Sequence, residues 1–168
     1  MDKINPLISK IKSIKEFLII KNSTLKNKQL VFTNGCFDIL HRGHIEYLQE
    51  AKTLGDVLVV GLNSDSSVKK LKGENRPINK EMDRAICLAA LEAVDYIIIF
   101  NEDTPYHLIK TIRPHILIKG GDWREEEIVG YDIVKSYGGK VISSKFFSNY
   151  STTNIIKRII HRYCKNKT

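Results

Sequence analysis

The segment "QLVFTNGCFDILHRGHIEYL", residues 29–48, decides how the chain is read. It begins as a short apolar run, stops at Gly35, and passes an isolated acid at Asp38. It then places His41 and His44 on either side of Arg42 and Gly43. An apolar run closed by glycine predicts a buried strand, and Ile45, Leu48 and Ala51 at helical spacing predict a helix over about 43–54. The two histidines therefore fall where a strand gives way to a helix. Positions three apart at a helix start share a face. A helix N-terminus also offers unpaired N–H donors and partial positive charge, which suit phosphate. Gly43 leaves room for a ligand to approach the backbone. Two other readings stand beside a phosphate clamp. One is a zinc pair, which wants a third ligand and usually i,i+4 spacing with a base. The other is a pair of histidines that only cap the helix. No side-chain metal set is evident.

Outward from this segment, strand and helix patterns alternate. A leading amphipathic helix is predicted over 5–21. "DVLVVGLN" (56–63) is a continuous apolar strand of the kind buried on both faces, followed by a polar loop over 64–79. Asn79 is placed to cap a helix over 79–93 with Ile86, Ala89 and Ala90 inward. "DYIIIF" (95–100), "HILIKGGDW" (115–123) and "KVISS" (140–144) supply three more strands. Helices are predicted over 104–113, with a Thr104 cap and a stop before Pro114, over 126–137, ending at a glycine pair, and from about 151 onward. Such alternation implies βαβ units and an α/β fold with a five-stranded parallel sheet, helices covering both faces. One domain over 1–168 is expected: a leading helix and connection to 28, a core over 29–163, and a basic tail over 164–168. Parallel sheets of this kind bind ligands at the carboxyl ends of their strands.

Four further patches fall at that edge. Asp38 on the first turn could cap locally, bind a cation or meet a substrate hydroxyl. Lys69, Lys70 and Lys72 in "VKKLKG" could reach a polyphosphate, although lysines in a loop are usually solvated. "IKGGDW" puts Lys119 at a strand end, then Gly120, Asp122 as acceptor and Trp123 as a flat wall. A plain turn with a packed Trp explains it equally well. Ser151, Thr152 and Thr153 open the last helix, where capping explains one hydroxyl and anion binding would use the others. The sequence holds no Walker lysine motif, no GxGxxG, and no Ser or Cys nucleophile with a base. Phosphoryl chemistry at a bound nucleotide, run by positioning and charge stabilisation, is the expectation.

The totals agree. A chain of 168 residues with 42% hydrophobic and 27% charged residues is sized for one globular domain. No apolar run approaches the roughly 20 residues of a membrane span, and the cytoplasm is the expected compartment. Cys36, Cys87 and Cys164 are expected as reduced thiols. A net charge of +8 favours anionic partners. The basic residues are scattered, so the charge leaves nucleic acid possible and phosphorylated small molecules serve equally well; the partner expectation is a small phosphorylated substrate, with no nucleic acid and no membrane.

"TNGCFDILHRGHIEYL" resembles the signature of the cytidylyltransferase-like nucleotidyltransferases, whose hallmark is H-x-G-H. "NSDSSVKKLKGENRPIN", "LEAVDYIIIFNEDTP", "LIKGGDW" and "STTNIIKRI" narrow the resemblance to the D-glycero-β-D-manno-heptose 1-phosphate adenylyltransferases. The resemblance implies a Rossmann-like fold. It implies transfer of AMP from ATP to the heptose 1-phosphate, with Mg²⁺ accompanying the ATP, to give ADP-heptose for lipopolysaccharide core. It also implies a stand-alone form with a separate heptose kinase, and a homodimer. By the same resemblance His41, His44 and Lys72 are catalytic. Thr33, Asn34, Gly35, Phe37, His41, Gly43, His44, Lys119, Gly120, Ser151, Thr152 and Thr153 bind the nucleotide. Asp38, Lys70, Arg84, Asp122 and Trp123 meet the acceptor. Gly121 stands where related glycerol-phosphate enzymes carry an acid, which fits the heptose branch. The rival expectations are the same chemistry with another pair, such as CTP and glycerol 3-phosphate, a nucleotide- or RNA-binding module without turnover, and a metal-dependent hydrolase.

Overall fold

In the computed structural model, which describes residues 6–144 and 150–164, the run at Leu30 becomes the central strand of a five-stranded parallel sheet. The elements are α1 (Ile14–Ser23), β1 (Leu30–Gly35), α2 (Arg42–Thr53), β2 (Val57–Asn63), α3 (Asp65–Lys72), α4 (Glu81–Ala89), β3 (Tyr96–Phe100), α5 (Tyr106–Ile112), β4 (Ile116–Gly120), α6 (Tyr131–Ser136), β5 (Lys140–Ser144) and α7 (Thr152–Tyr163). The strand order is β3-β2-β1-β4-β5.

The continuous apolar strands are explained by two cores. Leu30, Phe32, Val57, Val59, Ile98, Phe100, Leu117 and Val141 pack on one side with Phe17 of α1, Ile109 of α5 and Val134 of α6. The alternate residues Val31, Leu58, Val60, Leu62, Ile97, Ile116 and Ile118 pack on the other, with Leu48 of α2 and Leu88 of α4. Side chains alternate across a strand, so a central strand covered on both faces must be apolar throughout. Each buried Leu, Ile or Val contributes about 1.5–3 kcal/mol. Because β2 and β3 lie to one side of β1, and β4 and β5 to the other, the carboxyl ends of β1 and β4 flank a switch point.

Several expected elements have different bounds. The leading helix divides into a 3-10 turn, Ile8–Lys10, and α1. Between them Ile11 bridges Ile97 and the Lys12 N–H donates to the Ile97 carbonyl, so the extended connection protects the edge of β3. Ser13 and Glu16 form a reciprocal capping box that starts α1. The expected loop over 64–79 contains α3, capped by Ser64, with Asp65 in the first turn and Lys69, Lys70 and Lys72 in the last. Only Ser67 and Val68 of α3 are buried, so it shows no apolar period. Neither Asn79 nor Thr104 caps a helix: α4 starts after Lys80 and α5 after Pro105, without side-chain caps. The inward residues of α4 are Arg84, Ala85, Leu88 and Ala89, while Ile86 is half-buried and Ala90 exposed. On α2, Ile45 is exposed and Tyr47 is buried in its stead. The helix expected over 126–137 is a 3-10 turn, Glu125–Glu127, and α6. Gly130 separates them at φ 93°, where an added Cβ would lie 2.7 Å from Ile109 Cδ1. Residue 5 of the leading helix and residues 165–168 of the basic tail lie outside the described residues.

Arg84 ties the working edge together. Its Nη1 donates to the carbonyls of Cys36 (2.6 Å) and Asn63 (2.8 Å), Nε to that of Asn79 (3.0 Å), and Nη2 to Asp65 Oδ1 (2.8 Å). One fully buried guanidinium thus joins the ends of β1 and β2 to the starts of α3 and α4. Removing one partner of a buried charged network typically costs about 3–5 kcal/mol. Arg84→Met is expected to lose about 3 kcal/mol or more in urea denaturation. Arg84→Lys is expected to recover little of that, because an ammonium cannot span four acceptors.

Candidate active site

A cleft of about 640 Å³ opens at the switch point. Its floor is the turn after β1, where Phe37 (φ 41°) and Ile39 (φ 22°) hold a left-handed backbone without being glycine. His41 is the N-cap of α2: its backbone is extended and its Nδ1 accepts from the His44 N–H at 3.3 Å. That bond leaves Nε2 as the His41 proton carrier. The His44 ring stacks on it with centroids 3.7 Å apart and planes 18° apart, and the Phe37 ring meets His44 edge-on at 5.2 Å. Burial pushes both imidazoles down. His44, with His41 beside it, falls to about 4. Both rings are therefore neutral at pH 7, and the buried Nδ1 of His44 has no partner among the described residues. An incoming polyanion would reverse the balance by stabilising a proton on the pair.

The wall beside α2 comes from the end of β4 and the start of α7. Lys119 donates to the backbone carbonyl and Oδ1 of Asn34, both at 3.2 Å. Burial, reinforced by nearby Lys72 and opposed by Cys36, pushes its amino group below the usual lysine range. Ser151 caps α7 by accepting from the Asn154 N–H at 3.1 Å, so its hydroxyl is a cap as well as a cleft group. Tyr150 stacks near His41 and lies under the Arg42 guanidinium, which sets the α7 start beside the α2 start. Trp123 donates its indole N–H to the Gly120 carbonyl and leaves the ring half exposed as a wall.

Of the residues expected at the site, Asn34, Gly35, Phe37, Asp38, His41, Gly43, His44, Lys72, Lys119, Gly120, Trp123, Ser151, Thr152 and Thr153 line this cleft. Four do not. Thr33 is fully buried and its hydroxyl bonds the Tyr47 hydroxyl, which donates to the Ile118 carbonyl, so it fastens α2 to the sheet. Lys70 is exposed and pairs at 3.0 Å with Asp103, an exposed residue that does line the cleft. Arg84 is enclosed in the network described above and has no surface for an acceptor. Asp122 is exposed outside the wall. Asp38 lines the cleft, but its carboxylate is fully buried and accepts from Arg76 Nε (2.6 Å) and the N–H groups of Ile78 (2.8 Å) and Asn79 (3.0 Å). Burial alone would raise its pKa, and these three donors hold it below the usual carboxylate range. Cys36 carries a thiol raised by burial against the opposing charge of Lys72, Arg84, Lys119 and Arg76, which suits no nucleophilic role.

Arg76, Tyr47 and Tyr150 also line the cleft. Arg76 precedes a proline in a polar loop and carried no pattern. Tyr47 sits on a helix with an apolar period, which hid the polar use of its hydroxyl. Among the described residues no group of three His, Cys, Asp or Glu lies together as a metal cage, so the stacked histidines lack the third ligand a zinc pair needs. No described helix is long and apolar enough to cross a membrane.

The model of the cytidylyltransferase-like family matches residues 32–158. The bifunctional protein HldE of Pelobacter propionicus is 56% identical over 146 residues, covering 87% of this chain and 30% of that protein. That of Aliarcobacter butzleri is 61% identical over 132 residues, covering 79% of this chain and 27% of that protein. The chain thus spans less than a third of the length of these relatives. Among solved structures, the lipopolysaccharide core biosynthesis protein of Thermoplasma volcanium matches with a TM-score of 0.60 and 32% identity, covering 74% of this chain and all of that one. The pantoate-beta-alanine ligase of Francisella tularensis shares the fold, with a TM-score of 0.60, 20% identity and coverage of 92% and 78%.

Two outcomes test this geometry. A histidine whose folded pKa lies below its unfolded value adds stability that is complete above pH 6.5 and is lost as pH falls toward 4. The melting temperature of the ligand-free protein is therefore expected to drop between pH 6.5 and 4.5, and His44→Asn to show a shallower drop in the same scan. Gly43→Ala would put a Cβ 3.0 Å from Tyr150 Cβ and 3.3 Å from His41 Nδ1. It is expected to weaken nucleoside triphosphate binding about tenfold, about 1.4 kcal/mol, in calorimetric titration.

Proposed function

The chain belongs to the cytidylyltransferase-like family of nucleotidyltransferases, and on that premise we propose that it transfers AMP from ATP to D-glycero-β-D-manno-heptose 1-phosphate, giving ADP-heptose and pyrophosphate. The observation that carries the proposal is the neutral, stacked His41–His44 pair at the α2 N-terminus, beside the α7 start and Lys119 in one cleft. The choice of ATP and the heptose rests on the sequence motifs. It is supported by the identity to the bifunctional proteins HldE and by a structural relative named for lipopolysaccharide core biosynthesis.

The proposed step is an in-line displacement. An oxygen of the sugar phosphate attacks the α-phosphorus of ATP, one P–O bond forms as another breaks, and the electron pair leaves with pyrophosphate. A phosphomonoester is already ionised at neutral pH, so no general base is needed. His41 Nε2–H, His44, Lys119 and the free amides of the α2 N-terminus supply donors where charge grows on the nonbridging oxygens. The hydroxyls of Thr152 and Thr153 hold triphosphate oxygens at the α7 N-terminus. Lys72, on the other side of the cleft, neutralises the meeting phosphates. Mg²⁺ enters with ATP as part of the substrate, held by phosphate oxygens and water.

We place the reaction in the cytoplasm. A homodimer is part of the same proposal. Its support is α7, which has no buried residue and exposes Ile159, Ile160 and Tyr163 along one face. Pyrophosphate release across four nucleoside triphosphates and a panel of sugar and glycerol phosphates tests the assignment. ATP with the heptose 1-phosphate is expected to be preferred, and turnover only with CTP and glycerol 3-phosphate would overturn it. His41→Ala and His44→Ala are each expected to lower kcat on the order of 10²-fold or more in that assay, with the fold intact by circular dichroism.

A further inference from the structure

Arg76 stands in the loop between α3 and α4 with its side chain 16% exposed, at the cleft wall. Asp38 takes its Nε–H at 2.6 Å, and among the described residues no other protein group bonds the guanidinium. Asp38 itself cannot swing: its side chain is fully enclosed, and the N–H groups of Ile78 and Asn79 hold both carboxylate oxygens. An arginine gripped through Nε presents its two terminal nitrogens as a fork, the shape that binds two oxygens of a phosphate. Sheet order divides the cleft lining. Lys119 at the end of β4 and Ser151–Thr153 at the α7 start, after β5, come from one side of β1. Asn63 at the end of β2, Lys72 of α3, Arg76 and Asp103 after β3 come from the other, and His41 and His44 stand between them at the α2 start. In-line attack puts the acceptor's phosphate opposite the leaving pyrophosphate. If the triphosphate lies on the α2 and α7 N-termini, the acceptor's phosphate falls on the side of Arg76.

The geometry points to Arg76 as the residue that grips the phosphate of the acceptor, with Asp38 as the positioning residue that aims it. This rests on the transfer proposed above and extends it by giving the acceptor phosphate a specific, forked partner. Lys72 supplies charge without a fork, so the geometric selection of a phosphomonoester falls to Arg76.

Steady-state kinetics with ATP and D-glycero-β-D-manno-heptose 1-phosphate test it. Arg76→Ala is expected to raise the acceptor KM at least tenfold with the ATP KM within about twofold. Arg76→Lys is expected to recover only part of that loss. Asp38→Asn is expected to raise the acceptor KM in the wild-type background and to add nothing in the Arg76→Ala background. A second arm needs no turnover: a ³¹P NMR titration with inorganic phosphate, where Arg76→Ala is expected to weaken binding at least tenfold. Should the wild type not turn over the heptose 1-phosphate yet lose phosphate binding with Arg76→Ala, the sugar assignment fails and the Arg76 assignment stands. An unchanged acceptor KM and phosphate affinity in Arg76→Ala, an equal rise in the ATP KM, or an additive Asp38→Asn effect would overturn it.

Discussion

The working edge depends on one buried cation. Arg84 reaches the carbonyl of Cys36 after β1, that of Asn63 at the end of β2, that of Asn79 before α4, and the carboxylate of Asp65 in α3. Four pieces of chain that end or begin at the cleft are thereby held by a single planar group. A burial this complete is tolerable only because almost every donor is met. The arrangement links a structural requirement to a chemical one, since the same joints bring the β1 turn and Lys72 of α3 to one cleft.

The electrostatics of the cleft follow from what is left unpaired. Arg84 is enclosed by acceptors and Asp38 by donors, so neither offers charge to a ligand. Burial keeps the histidines neutral, with His41 adding to the effect on His44, and burial lowers Lys119. Without ligand, the histidine pair thus adds no charge to the cleft, whose cationic lining side chains are Lys72, Arg76 and Lys119. A neutral imidazole does not repel its twin. This allows two rings to stack at 3.7 Å.

Much of the fold was legible because its determinants are local or periodic. All five strands were recognised from apolar runs bounded by glycine, proline or polar residues, and parallel order followed from their alternation with helices. The start of α2 and the start of α7 were legible as capping patterns. Elements without an apolar period were not: α3 is held by a Ser64 cap and lysines at its dipole end, and shows only two buried residues. The break at Gly130 arises from the close approach of Ile109, two elements away in the chain. Site residues divided in the same way. His41, His44 and Gly43 declare themselves by spacing, whereas Thr33, on the same strand as Asn34, turns into the body and bonds Tyr47.

The sequence by itself determined the parallel sheet, the edge at which the cleft opens and the two helix starts that line it. Each of these is written in residue periodicity or in a short motif whose geometry is local. Only the tertiary structure decided which charges are available. Asp38, Lys70 and Arg84 look alike in a string of letters, as polar residues near the site. One aims Arg76, one pairs with Asp103 at the surface, and one is enclosed among backbone carbonyls. The physical reason is that a charge's role is set by the donors, acceptors and solvent around it, and those neighbours come from segments distant in sequence.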